Sequence, residues 1–482
     1  MKRGHSFDMQ GLKFAGKFLI TLAFVFTAVH YGTAIASDRL VAVDESGTTA
    51  AEAELKYLQE RRQNQPQDEK EMLEKLQKYE DTLSTRTIGT ASIDTIAQAH
   101  ERMIAADLTN MKLYLFENGH ATATLDILSK GKRGSRWETP TGLYKIESKE
   151  KDHFSSIGEV HMPYSMQFFG NFFVHGWPYY PGGEPVPEGY SGGCIRLSTE
   201  DAEKVFEFVK RGTPIFVWED GAASTTEMTL SKAPVPRVNA KAFIVADLHT
   251  GDVYAEKNAE IAYPIASVSK LLTALVANET IHFDRTLTVN GDDRAQTDGT
   301  PGSIVKGDTF TVGELLYPLL MESNNSAAYT LARYNGQENF VGWMNDKAKA
   351  IGMDKTHMKD PSGISPENVS TASDLFKLMR YIEDSQSFIL NLSREPEKKL
   401  KAENGRTYTF ANFNHFAGNK DFLGGKVGYT NEARQTMTAV FEVPVRGATS
   451  TIAIVILGSE ERKNDVEKLL SWFKRNATPL TI

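Results

Sequence analysis

Cysteine is nearly absent: Cys194 is the single one among 482 residues, so no disulfide can form within the chain and the thiol needs another explanation. Metal-ligand clusters are missing too. No His-Glu-x-x-His occurs, nor any group of His, Cys or carboxylates at ligand spacing, so neither a metal nor another cofactor is expected. Charge of one sign is also weak, with 54 Lys plus Arg against 62 Asp plus Glu and a formal net charge of -8. That balance gives no case for nucleic acid as a partner. No fixed-period repeat is present, which excludes a solenoid or propeller.

The length exceeds what one hydrophobic core serves, so several domains are expected. Lys2, Arg3, Lys13 and Lys17 precede an apolar run from Phe18 to Val29, and Ala34-Ile35-Ala36 follows with small residues. This is the pattern of an export signal over 1–36, cleaved after Ala36 or, uncleaved, retained as a membrane anchor. Either outcome puts the rest outside the cytoplasm, in the periplasm or elsewhere in the cell envelope. Residues 37–91 are rich in Glu, Lys and Gln and read as a charged helical spacer.

Regular patterning begins near Ser92. Two alternating runs flank Glu117-Asn118-Gly119 and predict a hairpin, opening a β-rich domain over 92–220. A linker is expected over 221–238, where small residues and Pro234 and Pro236 collect. A second domain, 239–482, opens on a hairpin turning at Thr250-Gly251-Asp252. Helical patterns follow at Ser267–Glu279, Val312–Tyr334, Phe340–Ile351 and Thr371–Ile382, strands return near the end, and a helix from Glu460 to Arg475 closes it. Strands at both ends with helices between predict one sheet built from distant segments and covered by helices.

In the first domain a Pro- and Gly-rich loop joins the apolar strand Phe172–Val174 and His175 to Ser191-Gly192-Gly193-Cys194. Folding back would bring imidazole and thiol together, and the imidazole would convert the thiol to a thiolate. Gly192 and Gly193 allow backbone N–H groups to converge on an oxyanion. Arg196 is placed to hold a substrate carboxylate.

With "TPTGLYKI" at Thr139–Ile146, "MPYSMQFFGNFFVHG" at Met162–Gly176 and "SGGCIRL" from Ser191, the region from about Thr95 to Trp218 resembles the L,D-transpeptidase catalytic domain, the YkuD family. The resemblance implies that Cys194 attacks the bond between the L-centre of diaminopimelate and D-Ala in a tetrapeptide stem, with His175 as base and then acid. Gly192 stands where a second histidine usually precedes Gly-Cys, which bears on the tuning of the thiol.

In the second domain Ser267 and Lys270 stand three apart where a helix begins, so their side chains share a face. A lysine acts as a base only when burial or a second cation strips its proton. Ser323 offers a hydroxyl for proton relay and Asn325 an amide to hold substrate. Lys426, before Gly428 on an expected strand edge, is a candidate second cation and carboxylate binder. Ser-x-x-Lys alone is common, but with Ser-x-Asn and Lys-x-Gly in this order it is a strong signal for penicillin-recognising serine enzymes.

Together with "DPSGISPENVSTASDLFKLM" from Asp360, these motifs make about Val235 to Gly458 similar to the D-alanyl-D-alanine carboxypeptidases, peptidase family S11. Two positions depart from the family: Val427 replaces the usual threonine, and Arg434 stands where glycine is frequent.

The resemblances imply a β-rich YkuD-like domain followed by an α/β domain of the serine β-lactamase and D,D-peptidase fold. They imply one bifunctional peptidoglycan-remodelling enzyme, with stem peptides as substrates and β-lactams as inhibitors. The alternatives are a D,D-endopeptidase in the serine domain, or a wall-binding scaffold whose chemistry has lapsed in one domain.

Overall fold

The structure, a computed structural model, describes residues 96–220, 227–295 and 302–480. The expected export signal or anchor and the helical spacer lie outside these residues. Among the described residues no helix is long and apolar enough to cross a membrane.

The first domain contains β1 (Arg102–Asp107), β2 (Lys112–Glu117), β3 (His120–Asp126), β4 (Gly142–Lys145), β5 (Ser148–Ser155), β6 (Val160–Phe169), β7 (Phe172–His175), β8 (Ile195–Arg196), α1 (Thr199–Phe208) and β9 (Pro214–Trp218). They form two sheets, ordered β3-β2-β1-β9-β4 and β5-β6-β7-β8. The expected first hairpin is present: Asn118 and Gly119 have φ of 52° and 82°, the pair of positive angles that a tight turn between twisted strands demands. Alternate residues of the two sheets, among them Ile104, Leu115, Phe168, Val174, Ile195 and Ile215, meet in one buried cluster. Ser198 caps α1 by accepting from Asp201 N at 3.0 Å, so the helix starts directly after the strand that follows Cys194.

Part of the expected linker is structured. β10 (Met228–Leu230) pairs with β22 (Ala477–Pro479) at the far end of the chain, because Met228 and Ala477 bury against the same apolar cluster.

In the second domain β11 (Ala242–Asp247) and β12 (Val253–Lys257) come first, and β19 (Phe422–Thr430), β20 (Arg434–Val445) and β21 (Ala448–Ser459) come last. They form one sheet, ordered β12-β11-β21-β20-β19, with β19 at its edge. Short pairs join β13 (Tyr263–Pro264) to β16 (Val369–Ser370), β14 (Thr286–Thr288) to β15 (Thr309–Thr311), and β17 (Glu397–Lys401) to β18 (Thr407–Ala411).

Its helices are α2 (Lys270–Thr280), α3 (Gly291–Ala295), α4 (Val312–Leu320), α5 (Asn325–Tyr334), α6 (Gln337–Ala350), α7 (Ala372–Ser385), α8 (Phe388–Leu392) and α9 (Arg462–Asn476). Ile244 and Val455 turn to one face, against Leu271, Leu315, Leu331 and Leu375. Val245 and Ile454 turn to the other, against Leu469 and Phe473 of α9. Every residue of α2 is buried, as expected of a helix at the centre of its domain.

The single helix expected over Val312–Tyr334 is two. Pro318, near the end of α4, has no N–H to continue the ladder and its carbonyl accepts from Asn324 N at 2.9 Å. The Asn324 side chain then caps α5, accepting from Ala327 N at 2.9 Å.

The two domains share a seam. Ala350 of α6 packs in the core of the first domain. A methyl group on Gly142 would lie 2.7 Å from the Ala350 carbonyl oxygen, and one on Gly170 would lie 2.9 Å from that of Glu279. Both contacts are too close for any side chain, so glycine lets the backbones meet.

Candidate active sites

Ser267 belongs to a short 3-10 turn, Ala266–Ser269, rather than to α2, which begins at Lys270. In such a turn residues three apart eclipse one another, and Lys270 Nζ donates to Ser267 Oγ at 2.9 Å. The ammonium also bonds Asn325 Oδ1 at 2.7 Å and the Ser362 carbonyl. Lys270 is fully buried, and burial pushes its pKa down to about 7, with Asp360 opposing. A lysine so held is half neutral near pH 7 and competent to take the serine proton.

The turn is forced into place. Ala266 takes φ 49°, uncommon for a residue with a side chain. A methyl on Gly428 would stand 2.9 Å from Ser267 N, and one on Gly363 would stand 2.1 Å from the Ala266 carbonyl oxygen. The Gly of Lys-x-Gly is therefore the residue that lets β19 lie directly against the serine turn. Thr436 of β20 secures the approach, donating to the Ile265 carbonyl at 2.9 Å.

Lys426 is on β19, the sheet edge, as expected, and its Nζ donates to the Val427 carbonyl at 2.8 Å. Burial, then the nearby charges of Lys270 and Arg462, hold its pKa well below the ordinary lysine range. Burial is the first cause of the lowering at both lysines, and the two cations also repel each other. Ser323 sits on the strained turn into α5, with φ 62°.

Both departures from the family are accommodated. Val427 alternates to the far face and is buried in the apolar cluster beneath α9. Arg434 takes φ 57°, the region open without strain to glycine, and its guanidinium bonds Glu460 through Nε at 2.9 Å and Nη2 at 2.8 Å.

Sequence reasoning missed the residues that seat Lys270. Asp360 accepts from Ser362 N and Gly363 N, both at 2.7 Å, and from Ser365 N at 2.8 Å, folding a turn whose Ser362 carbonyl meets the lysine. Asp-Pro-Ser-Gly was a visible turn signal, but nothing local said what it would face. Arg462, which donates to the Gly428 carbonyl at 2.7 Å, had no signal at all.

In the first domain, β7 and β8 run parallel with Val174 opposite Ile195 and His175 opposite Arg196. Side chains alternate along a strand, so His175, Arg196 and Cys194, two residues before Arg196, share one face. All three line a cavity of about 370 Å³. The fold-back expected of the Pro- and Gly-rich loop is this parallel pairing.

Burial opposes the expected thiolate in the free protein. Burial pushes the Cys194 thiol up to about 11, with the Phe173 backbone and Arg196 opposing. The thiol donates to the Asn171 carbonyl at 3.7 Å. Burial likewise pushes His175 down to about 4. Its Nδ1 lies 2.6 Å from the Gly176 carbonyl oxygen, which can only accept, so Nδ1 carries the proton and Nε2 is left basic. The pair rests as neutral thiol and neutral imidazole, suited to passing a proton during attack rather than before it.

The Ser-Gly-Gly turn differs from expectation in one donor. Gly193 N donates to Ser191 Oγ at 3.0 Å, and Ser191 Oγ donates to the Cys194 carbonyl at 2.5 Å, so the Gly193 N–H is committed to the turn. Gly193, at φ 102°, is also where a methyl would collide with the Phe172 ring at 2.3 Å, whereas a methyl on Gly192 would meet nothing within 4 Å.

A serine beside a buried lysine on an α/β domain, preceded by a β domain whose cysteine and histidine line one cavity, defines a chain of two domains that each carry a candidate nucleophile and base. Residues 227–460 match the D-alanyl-D-alanine carboxypeptidase family, peptidase S11, and residues 101–217 match the L,D-transpeptidase catalytic domain, YkuD. The chain is 32% identical over 229 residues to a D-alanyl-D-alanine carboxypeptidase of Mycobacterium tuberculosis, covering 47% of this chain and 77% of the relative. It is also 32% identical over 238 residues to a D-alanyl-D-alanine endopeptidase of Pseudomonas aeruginosa, covering 48% and 76%. A crystal structure of D-alanyl-D-alanine carboxypeptidase from M. tuberculosis, at 30% identity, covers 52% of this chain and 95% of that one with a TM-score of 0.46. The chain belongs to the D-alanyl-D-alanine carboxypeptidase family and carries an L,D-transpeptidase catalytic domain ahead of that region.

Proposed function

We propose a bifunctional peptidoglycan-remodelling enzyme of the cell envelope, working in the periplasm or an equivalent extracytoplasmic space. What supports this is that one chain presents two nucleophiles, each with a buried neutral-leaning base in its own site. At the first site Ser267 Oγ attacks the carbonyl of the penultimate D-Ala of a pentapeptide stem while Lys270 takes its proton. Ser323 relays a proton to the departing D-Ala, Asn325 and Lys426 hold the peptide and its carboxylate, Gly428 lets the edge strand lie against the serine turn, and water releases the acyl group.

At the second site Cys194 attacks the carbonyl of the L-centre of diaminopimelate in the tetrapeptide that remains. His175 Nε2 accepts the thiol proton and returns it to the leaving D-Ala amine. An amine of a neighbouring stem then takes the acyl group from the thioester, and its proton passes through His175 to restore the thiol. Ser191, Gly192 and Gly193 shape the turn beneath the acyl carbonyl, and Arg196 pairs with a stem carboxylate. Tethering the sites raises the local concentration of the intermediate stem.

A second reading makes the serine domain a D,D-endopeptidase, favoured by the relatives of that name in P. aeruginosa and Escherichia coli. Muropeptides incubated with the purified chain and followed by mass spectrometry test both. D-Ala release from pentapeptides and new cross-links, lost respectively in Ser267→Ala and Cys194→Ala, are expected. Cleavage of dimers without D-Ala release supports the endopeptidase. The absence of turnover and of any covalent adduct on either nucleophile overturns the proposal, and a labelled penicillin that leaves Ser267 unmarked would favour a lapsed scaffold.

A further inference from the structure

The cavity at Cys194 is not built by the cysteine domain alone. Asn278, near the end of α2, and Ile281 and His282 just beyond it line the same space as His175, Cys194 and Arg196. The helix that begins at the lysine of one site therefore ends in the wall of the other.

This junction is held from both sides. Asn171 Nδ2 donates to the Thr280 carbonyl at 3.0 Å, and Asn278 Nδ2 to the Arg136 carbonyl at 3.4 Å. The rings of Trp137 and His282 meet with centroids 5.3 Å apart. Arg136 lies over the Phe283 ring at 4.7 Å and pairs with Asp284 at 3.2 Å. The wall is thus fixed against the cysteine domain by the residues that also border the cavity.

Asn278 is only 9% exposed, and its Nδ2 also meets Gln386 Oε1 at 3.2 Å, so the end of α2 is held fixed where it borders the cavity. A stem peptide, with N–H donors, carbonyl acceptors and a carboxylate, suits a lining that carries an amide, an imidazole and a guanidinium in Asn278, His282 and Arg196.

We propose that the peptide stem bound at Cys194 lies against Asn278 and His282, so that the serine domain supplies a specificity-determining wall of the L,D-site. This rests on the reading of the cysteine domain as a stem-peptide enzyme. Because Cys194 is the only cysteine, alkylation by iodoacetamide at pH 9, followed by intact mass, reports on this site alone. The probe is the L-Ala-γ-D-Glu-diaminopimelate tripeptide, which lacks the leaving D-Ala and so binds without acylating the thiol.

In the full chain the tripeptide should slow alkylation. Asn278→Ala and His282→Ala should each raise the half-protecting concentration by roughly fivefold or more, the loss of one hydrogen bond or ring contact. Labelling of Ser267 by a fluorescent penicillin reports that the variants are folded. Should His282→Ala fail to fold, His282→Phe keeps a ring on Trp137 while removing the ring nitrogens. Half-protecting concentrations equal to the parent's, or no protection of the parent, overturn the composite site. If the parent transfers no stem in the muropeptide assay while both variants still lose protection, the functional reading fails and the wall stands. If transfer proceeds and the variants protect like the parent, the wall fails alone.

Discussion

Lys347 of α6 and Glu279 of α2 form an ion pair at 2.8 Å with both side chains fully buried, at the seam between the domains. Lys347 also donates to Tyr144 Oη of the cysteine domain at 2.8 Å and to Tyr381 Oη at 2.7 Å. Burial pushes the lysine pKa down and the glutamate pKa up, and their attraction opposes both. Such a pair adds little beyond an apolar replacement, but losing one partner strands the other's charge.

Lys347→Met should therefore destabilise the protein by about 3–5 kcal/mol in the first denaturant transition, and adding Glu279→Gln should restore much of the loss. Equal stability of Lys347→Met and the parent would show that the pair does not hold the seam.

Acylation of Ser267 should follow the ionisation of Lys270. With a pKa of about 7, the lysine is protonated and inert as a base in acid, and neutral above. The penicillin acylation rate should rise with pH and level off above about 8, standing roughly tenfold below the plateau at about pH 6. Lys270→Ala should lose about 10²- to 10⁴-fold. A profile flat across this range would assign the proton to another group.

Cys194, with a thiol pKa of about 11, should stay protonated at neutral pH in the free enzyme. Its iodoacetamide rate should still be climbing at about pH 10, whereas transfer from a tetrapeptide should already proceed near neutrality and fall about 10²- to 10⁴-fold in His175→Ala. A reactivity plateau reached below neutral pH would reveal a standing thiolate–imidazolium pair instead.

Much of this was legible in the chain. Asn118-Gly119 and Gly251 marked their hairpins because a positive φ is a property of the residue itself. Ser267 and Lys270, three apart, had to meet in any helical turn, whether α or 3-10. The break between α4 and α5 was missed because the apolar pattern runs through it, although Pro318 and Asn324 are there to be read.

What the sequence determined by itself is the set of reactive groups and the turns that present them, since both depend on neighbours a few residues away. Only the tertiary structure decided their state. The proton affinity of Lys270, the neutrality of Cys194 and His175, the seat of Gly428 against Ser267 and the wall that Asn278 lends to the cysteine site all arise where segments far apart in the chain exclude water together. Desolvation and close approach are properties of packing, which no local pattern encodes.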